Sequence, residues 1–367
     1  MFDKVKGRFG FGAMRVPMVD KEFDKEKVCE MVDAFIGAGF NYFDTAHGYM
    51  EGQSERLIRE CVVKRYPRDE IVLANKLSPW FFEKEEDILP MFNTQLECCG
   101  VDYFDFYLFH TLTRKYYQKH IDCGSFEIFK KLKEEGKIKH IAMSFHDNAE
   151  TLDKILTEQP IIEAVQLQFN YLDYDDPTVQ SKACYDVAVK HGKKVMVMEP
   201  VRGGILSELP EKAMALFSKN SSESPSLFAL RFALSYPEVF MVLSGMSDID
   251  MIKENTEMAN NFKPFTEEEK KLSDSLRELI RESRLINCTK CSYCEDVCPK
   301  GIPIPELFSI YNDLLGAKKS RGDVKRKLME RGEKLGDCIE CGKCEDACPQ
   351  SIKIRELIKQ MNGMING

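Results

Sequence analysis

Ile71-Val-Leu-Ala-Asn-Lys76 is an apolar run of strand length, residues 85–99 carry apolar side chains at helical spacing, and Phe104-Asp-Phe-Tyr-Leu-Phe-His110 is a second strand-length run. A buried strand, a helix and another buried strand in succession make a βαβ unit. Working outward, the same alternation continues to about residue 260. Strands are expected at residues 8–14, 40–44, 71–76, 104–110, 140–144, 164–170, 194–199 and 240–245, with helices such as 24–38, 126–135 and 177–191 between them. Eight strand–helix units over about 260 residues predict an α/β fold, a (β/α)8 TIM barrel. A doubly wound open sheet would more often show G-x-G-x-x-G after an early strand. No such run follows a strand here, and Gly10 and Gly12 lie inside the first one.

The chain has 367 residues, 43% hydrophobic and 31% charged, the balance of a folded globular protein with room for the barrel and a small second domain. Lys and Arg number 52 against 60 Asp and Glu, a net charge of -8. With no bulk positive field to condense on a phosphate backbone, nucleic acid is excluded as a partner. Charges at Asp3, Lys4, Lys6 and Arg8 stand where a signal peptide needs an apolar run, and no stretch reaches the ~20 apolar residues of a membrane span. A cytoplasmic protein with no membrane partner is expected.

Eight of the 14 cysteines fall in the last quarter. Cys288-x2-Cys291-x2-Cys294-x3-Cys298-Pro299 and Cys338-x2-Cys341-x2-Cys344-x3-Cys348-Pro349 are two copies of the run that ligates [4Fe-4S] clusters. The fourth cysteine of such a run ligates the other cluster. The implied sets are Cys288, Cys291, Cys294 and Cys348 for one cluster, and Cys338, Cys341, Cys344 and Cys298 for the other. Zinc is the alternative, and two four-cysteine runs each ending in Cys-Pro fit it poorly. The 39-residue gap between Cys298 and Cys338 reads as helical, which resembles the helical variety of two-cluster ferredoxin domain. Thr266-Glu-Glu-Glu269 is a capping box that opens a helix reaching toward Leu285. The expected organisation is a barrel over 1–263, a connecting helix over 264–286 and a mainly helical two-cluster domain over 287–367. Residues 318–334 carry eight Lys and Arg against three acids, read as a solvated face or a patch for an acidic redox partner. Cys29, Cys61, Cys98, Cys99, Cys123 and Cys184 have no ligand spacing and read as small buried apolar residues.

At the end of the second strand stands Asp44-Thr-Ala-His-Gly-Tyr49-Met-Glu-Gly52-Gln-Ser-Glu55. It resembles the D-T-A-x-x-Y-x-x-G-x-S-E signature of the aldo-keto reductase family. Lys76 ends the third strand and His110 the fourth, where that family keeps its other two catalytic residues. The resemblance implies a catalytic tetrad of Asp44, Tyr49, Lys76 and His110. A phenol with pKa near 10 is a poor proton donor at pH 7 until a neighbouring ammonium stabilises its phenolate. Lys76 supplies that charge, Asp44 holds Lys76, His110 orients a substrate carbonyl, and Tyr49 gives or takes the proton. Trp80 is expected at the wall of the substrate pocket.

The same resemblance implies a nicotinamide cofactor, NADH or NADPH, held by Met14, Arg15, Asp44, Ser144, Gln166, Asn170, Met198, Glu199, Pro200, Arg202, Gly245, Ser247, Glu254 and Asn255. The Asn that usually follows the Ser is Phe145 here, the usual stacking Tyr is Met198, and the usual 2'-phosphate Arg is Met251. Hydride moves two electrons and each cluster moves one, so either the barrel binds a flavin or a substrate that takes single electrons, or the clusters feed an external ferredoxin-like partner, or they are structural. The expected function is an iron-sulfur oxidoreductase acting on a small carbonyl or alcohol. The competing reading is an electron-transfer or regulatory protein whose barrel is a docking body. Both imply oxygen-sensitive clusters and an anaerobic setting.

Overall fold

The structure, a computed structural model, describes residues 2–283, 285–316 and 318–366. Eight parallel strands close into a barrel: β1 Phe9–Gly12, β2 Tyr42–Asp44, β3 Val72–Leu77, β4 Phe104–Leu112, β5 Ile138–Phe145, β6 Ala164–Gln168, β7 Lys194–Met198 and β8 Val239–Ser244. Each pairs with its sequence neighbours, and β1 pairs with both β2 and β8, so no edge is left exposed. All eight strands fall on the expected runs. Their helices follow the expected pattern with trimmed ends: 177–191 narrows to Ser181–Lys190, because Asp176, Thr178 and Val179 are tied into a turn by the Asp176 carboxylate. A short hairpin, Met18–Val19 with Glu22–Phe23, precedes the helix Lys25–Gly37.

The barrel interior is filled by Tyr42, Val72, Ala74, Phe106, Leu108, Ala142, Ala164, Met196, Met241 and Leu243. Phe2 packs its ring on Phe106, His140 and Phe240 at one end. The interior is a packed core and not a channel.

The chain divides into two compact units, Met1–Pro200 with Leu230–Pro264, and Val201–Ala229 with Phe265–Gly367. The division differs from a barrel continuous over 1–263: the segment after β7, with its helix Glu211–Asn220, groups with the C-terminal residues. The physical reason is side-chain packing, which local periodicity does not encode: the helix Glu267–Glu282 packs on Glu211–Asn220, and the rings of Phe228 and Phe265 meet at a tilt, 4.6 Å between centres. Glu267–Glu282 opens on the expected capping box at Thr266 and Glu269, and ends short of Leu285.

Within the second unit the two cysteine runs form an internal repeat. Lys290 and Ser292 in the first loop, and Glu340 and Gly342 in the second, all have positive φ, as do Gly301 and Ser351 beyond each proline. Short helices Tyr293–Asp296 and Lys343–Asp346 follow, then the longer helices Ile304–Leu315 and Ile354–Asn366. The insertion holds the helix Arg321–Arg331. Several of its cations are paired: Lys318 with Glu208, Lys319 with Asp313, and Arg331 with Glu306.

Cys29 and Cys61 depart from the reading of free apolar cysteines. They form a disulfide between the helix Lys25–Gly37 and the helical segment Ile58–Val63, with Cα atoms 4.8 Å apart. Among the described residues, no helix is long and apolar enough to cross a membrane.

Candidate active site and cluster cradles

Side chains alternate along a strand, so a residue two positions beyond an interior one also faces inward. Two beyond Tyr42, Ala74, Leu108, Ala142, Ala164 and Met196 of the interior core stand Asp44, Lys76, His110, Ser144, Gln166 and Met198. The period that fills the barrel with apolar side chains therefore ends in a ring of polar ones where β2 to β6 finish. Catalytic groups of this fold come from such strand ends.

Lys76 Nζ donates to Asp44 Oδ1 at 2.5 Å and to the Thr45 carbonyl at 2.8 Å, and both side chains are buried. Burial pushes the Asp44 carboxyl up and the Lys76 ammonium down, while each partner's charge opposes the shift. The ammonium lies 4.8 Å from the centre of the Tyr49 ring. The His110 ring meets that of Tyr49 edge-on at 5.9 Å. Burial, with the Lys76 charge second, holds His110 well below the usual histidine range, so its imidazole is neutral near pH 7. Trp80 is 41% exposed, with its ring 5.4 Å from that of His110.

Backbone strain sits on both sides of these groups. Met50 and Glu51, directly after Tyr49, have φ of 54° and 55°, and the β-branched Thr111, directly after His110, has φ 54°. Such conformations persist where the surroundings over-determine them. The Thr111 amide donates to Ser144 Oγ at 2.8 Å. After Tyr49, Gly52 takes φ 84°, open to glycine without cost. Ser54 Oγ then binds the Ala13 carbonyl and the Thr45 hydroxyl, both at 2.6 Å. Buried Glu55 accepts from Asn75 at 2.8 Å and meets His47 Nδ1 at 2.7 Å.

Sequence reasoning missed Ser78, whose Oγ lies 2.6 Å from His110 Nδ1 and fixes the imidazole. Its signal was present, because Ser78 continues the inward alternation two residues after Lys76. His146, which burial pushes down to about 4, acts electrostatically on His110 and carried no such signal.

Of the residues expected to hold a cofactor, Arg15 and Glu199 form an ion pair of 3.0 Å, and Arg15 packs over Gly245. Ser144 pairs with Gln166 in the β5–β6 register. Met14 and Met198 are half-buried and Pro200 is buried. Ser247 and Glu254 are exposed, Asn255 is buried, and Asp248 caps the helix Ile249–Asn260 by accepting from the Met251 amide at 2.8 Å. Asn170 is spent on the loop itself: its amide donates to Asp173 and to the Glu199 carbonyl, while its oxygen accepts from the Leu172 and Asp173 amides. Arg202 belongs to the second unit and is 1% exposed, a buried cation and not a surface one.

In the second unit the eight motif cysteines gather into two cradles. Cys288, Cys291, Cys294 and Cys348 line one, and Cys298, Cys338, Cys341 and Cys344 line the other. The last cysteine of each run thus joins the other run's first three. Burial, followed by the charges of Cys291, Cys288 and Cys348, pushes the Cys294 thiol far up. Four thiolates are tolerable in such a cradle only around a strongly positive centre, which is the chemistry an iron-sulfur cluster supplies.

Comparison with known proteins agrees with both halves. The model of the aldo/keto reductase family matches residues 8–278, and a 4Fe-4S dicluster domain matches residues 287–352. The chain belongs to the aldo/keto reductase family and carries a C-terminal 4Fe-4S domain. It is 26% identical over 283 residues to an uncharacterized oxidoreductase of Bacillus subtilis, YqkF, a match that spans 69% of this chain and 88% of that one. An uncharacterized oxidoreductase of Schizosaccharomyces pombe is 26% identical over 275 residues, spanning 70% and 83%. Among solved structures, the holo form of an aldo-keto reductase from Bacillus halodurans superposes with a TM-score of 0.62 at 26% identity, covering 73% of this chain and 91% of that chain. An aldo-keto reductase of Klebsiella pneumoniae in complex with NADPH shares the fold, with a TM-score of 0.60 at 19% identity, covering 73% and 90%.

Proposed function

We propose that this chain is a nicotinamide-linked oxidoreductase that interconverts a small carbonyl compound and its alcohol, with two [4Fe-4S] clusters passing single electrons to or from an outside carrier. The observation that carries the reading is the convergence of Asp44, Lys76 and His110, from three strand ends, on Tyr49. Ser144 and Gln166, a hydroxyl and an amide side by side in register, match the donors and acceptors of a carboxamide. When bound, a reduced nicotinamide supplies the hydride and each cluster supplies or takes one electron.

In the direction of reduction, the neutral His110 imidazole, fixed by Ser78, hydrogen-bonds the substrate oxygen. The Tyr49 hydroxyl gives its proton to that oxygen. Lys76, anchored by Asp44, stabilises the phenolate left on Tyr49. Trp80 borders the space where the substrate's remaining atoms lie. Two clusters would hold two electrons between them, and exchange of these with one hydride equivalent would require a mediator that takes both one and two electrons, such as a bound flavin.

The resemblance puts a 2'-phosphate contact at Met251, where this chain has no cation and Asp248 caps the helix, which leaves NADH as open as NADPH. Tyr49→Phe should lower carbonyl reduction by about 10²–10⁴-fold and leave the cluster absorbance unchanged. Unchanged turnover would remove Tyr49 from the proton transfer. Failure of both NADH and NADPH to bind in a fluorescence titration would favour the electron-transfer reading instead, to which the departures at Phe145 and Met198 lend support.

A further inference from the structure

The two cradles are built on one repeat of fifty residues, so each position in the first has a counterpart in the second. Their surroundings are unequal. Thr289, between Cys288 and Cys291, is 3% exposed; its counterpart Ile339, between Cys338 and Cys341, is 59% exposed. Cys341 is exposed, whereas its counterpart Cys291 is half-buried. Val297, beside Cys298 of the second cradle, is 39% exposed.

The first loop is covered from within its own unit. Gly203, at φ +60°, lies so close to Thr289 that a Cβ would stand 2.6 Å from the Thr289 Cα and carbonyl oxygen. The side chains lining the first cradle besides its cysteines are Thr289, Ser292, Pro305, Phe308, Gln350, Ile352 and Ile354, none of them charged. The second cradle is lined by Lys300, Glu340 and Arg355 as well as apolar groups. Glu340 is neutralised by Lys359 at 2.8 Å and Arg355 by Glu345 at 2.6 Å. Lys300 is exposed and, among the described residues, enters no ion pair.

We propose that the Cys298/Cys338/Cys341/Cys344 cradle is the electron port of the protein, where a one-electron carrier protein meets a cluster over Ile339 and Val297, and that the Cys288/Cys291/Cys294/Cys348 cradle is the inner station. The proposal rests on the reading that each cradle holds a [4Fe-4S] cluster. Reduction adds one electron to an already anionic cluster. That added charge is stabilised by water and by Lys300 at the port, and meets only an uncharged, covered lining at the inner station. A cluster at the port would therefore have the higher potential and be reduced first, and electrons would run downhill from the inner station to the port and out to the carrier.

The test is an anaerobic, EPR-monitored redox titration of the intact holoprotein beside Ile339→Glu and Lys300→Glu, two surface changes that leave all eight cysteines in place. Two one-electron steps are expected, and each variant should move the higher-potential step downward while leaving the lower one fixed. With reduced flavodoxin as donor, followed by its own semiquinone absorbance, Ile339→Glu should slow cluster reduction by about tenfold or more. If the variants move the lower-potential step, or the flavodoxin rate is unchanged, the port assignment falls and the two-cluster reading stands. Iron and sulfide sufficient for only one cluster would overturn both.

Discussion

Asp44, Lys76 and His110 reach the barrel site from three different strands, whereas all eight motif cysteines arrive in two short runs. The barrel places its groups by continuing the inward alternation of a large apolar interior, so its scaffold exists without any ligand. In the cysteine-rich unit Cys294 and Cys344 are themselves buried members of the core, beside Leu307, Phe308, Ile354 and Met361. A site carried on a completed core tolerates loss of its ligand. A site that is part of the core does not.

The largest break in that comparison is removal of iron. Oxidative chelation should unfold the C-terminal unit outright, since binding energy at such a site is folding energy. The barrel should persist, visible as a surviving thermal transition with α/β circular dichroism. Simultaneous loss of both transitions would show that the barrel, too, depends on the clusters.

Next is the buried Lys76–Asp44 pair. Lys76→Met leaves the Asp44 carboxylate buried without its cation, and should cost the barrel about 3–5 kcal/mol in urea unfolding while the cluster absorbance is retained. A loss below about 1 kcal/mol would mean that Asp44 simply protonates in place of the pair.

A smaller, graded effect should separate the units by pH. Burial pushes His120 to about 3 and His146 to about 4, and holds His110 well down as well. All three lie in the barrel unit. An unfolded histidine takes its proton near 6.5, so below that pH the unfolded state binds protons that the folded barrel refuses. Barrel stability should be full above about pH 6.5 and fall as pH drops toward 4. A barrel melting temperature flat over that window would contradict the buried, neutral histidines.

The smallest change is Thr266→Ala. It removes the hydroxyl that accepts from the Glu269 amide at the start of Glu267–Glu282, and should cost the second unit about 1 kcal/mol without moving the barrel transition.

Much of this was legible in residue order because it is local. Strand and helix periods located all eight strands, and residues 266–269 announced their capping box. Cysteine spacing marked the cluster runs, and the resemblance to the aldo-keto reductase signature, read together with strand-end positions, pointed to Asp44, Lys76 and His110. The parts that were not legible depend on contacts between distant residues. Ser78 lay on the inward alternation, but its partner was not legible, because only the fold brings His110 of β4 beside it, and His146 is placed by the same packing. Cys29 and Cys61 bond because two helices meet. Residues 201–229 read as barrel because they follow β7, yet they pack with the C-terminal residues through Phe228, Phe265 and the helix Glu211–Asn220.

Thr289 and Ile339 draw the same line within one repeat. Sequence by itself determined that each cysteine run reads as a ligand loop, since its spacing is a property of a few adjacent residues. Only the tertiary structure decided that one loop is capped by Gly203 and the other left open, because burial is set by whatever packs on top, and that neighbour comes from elsewhere in the chain.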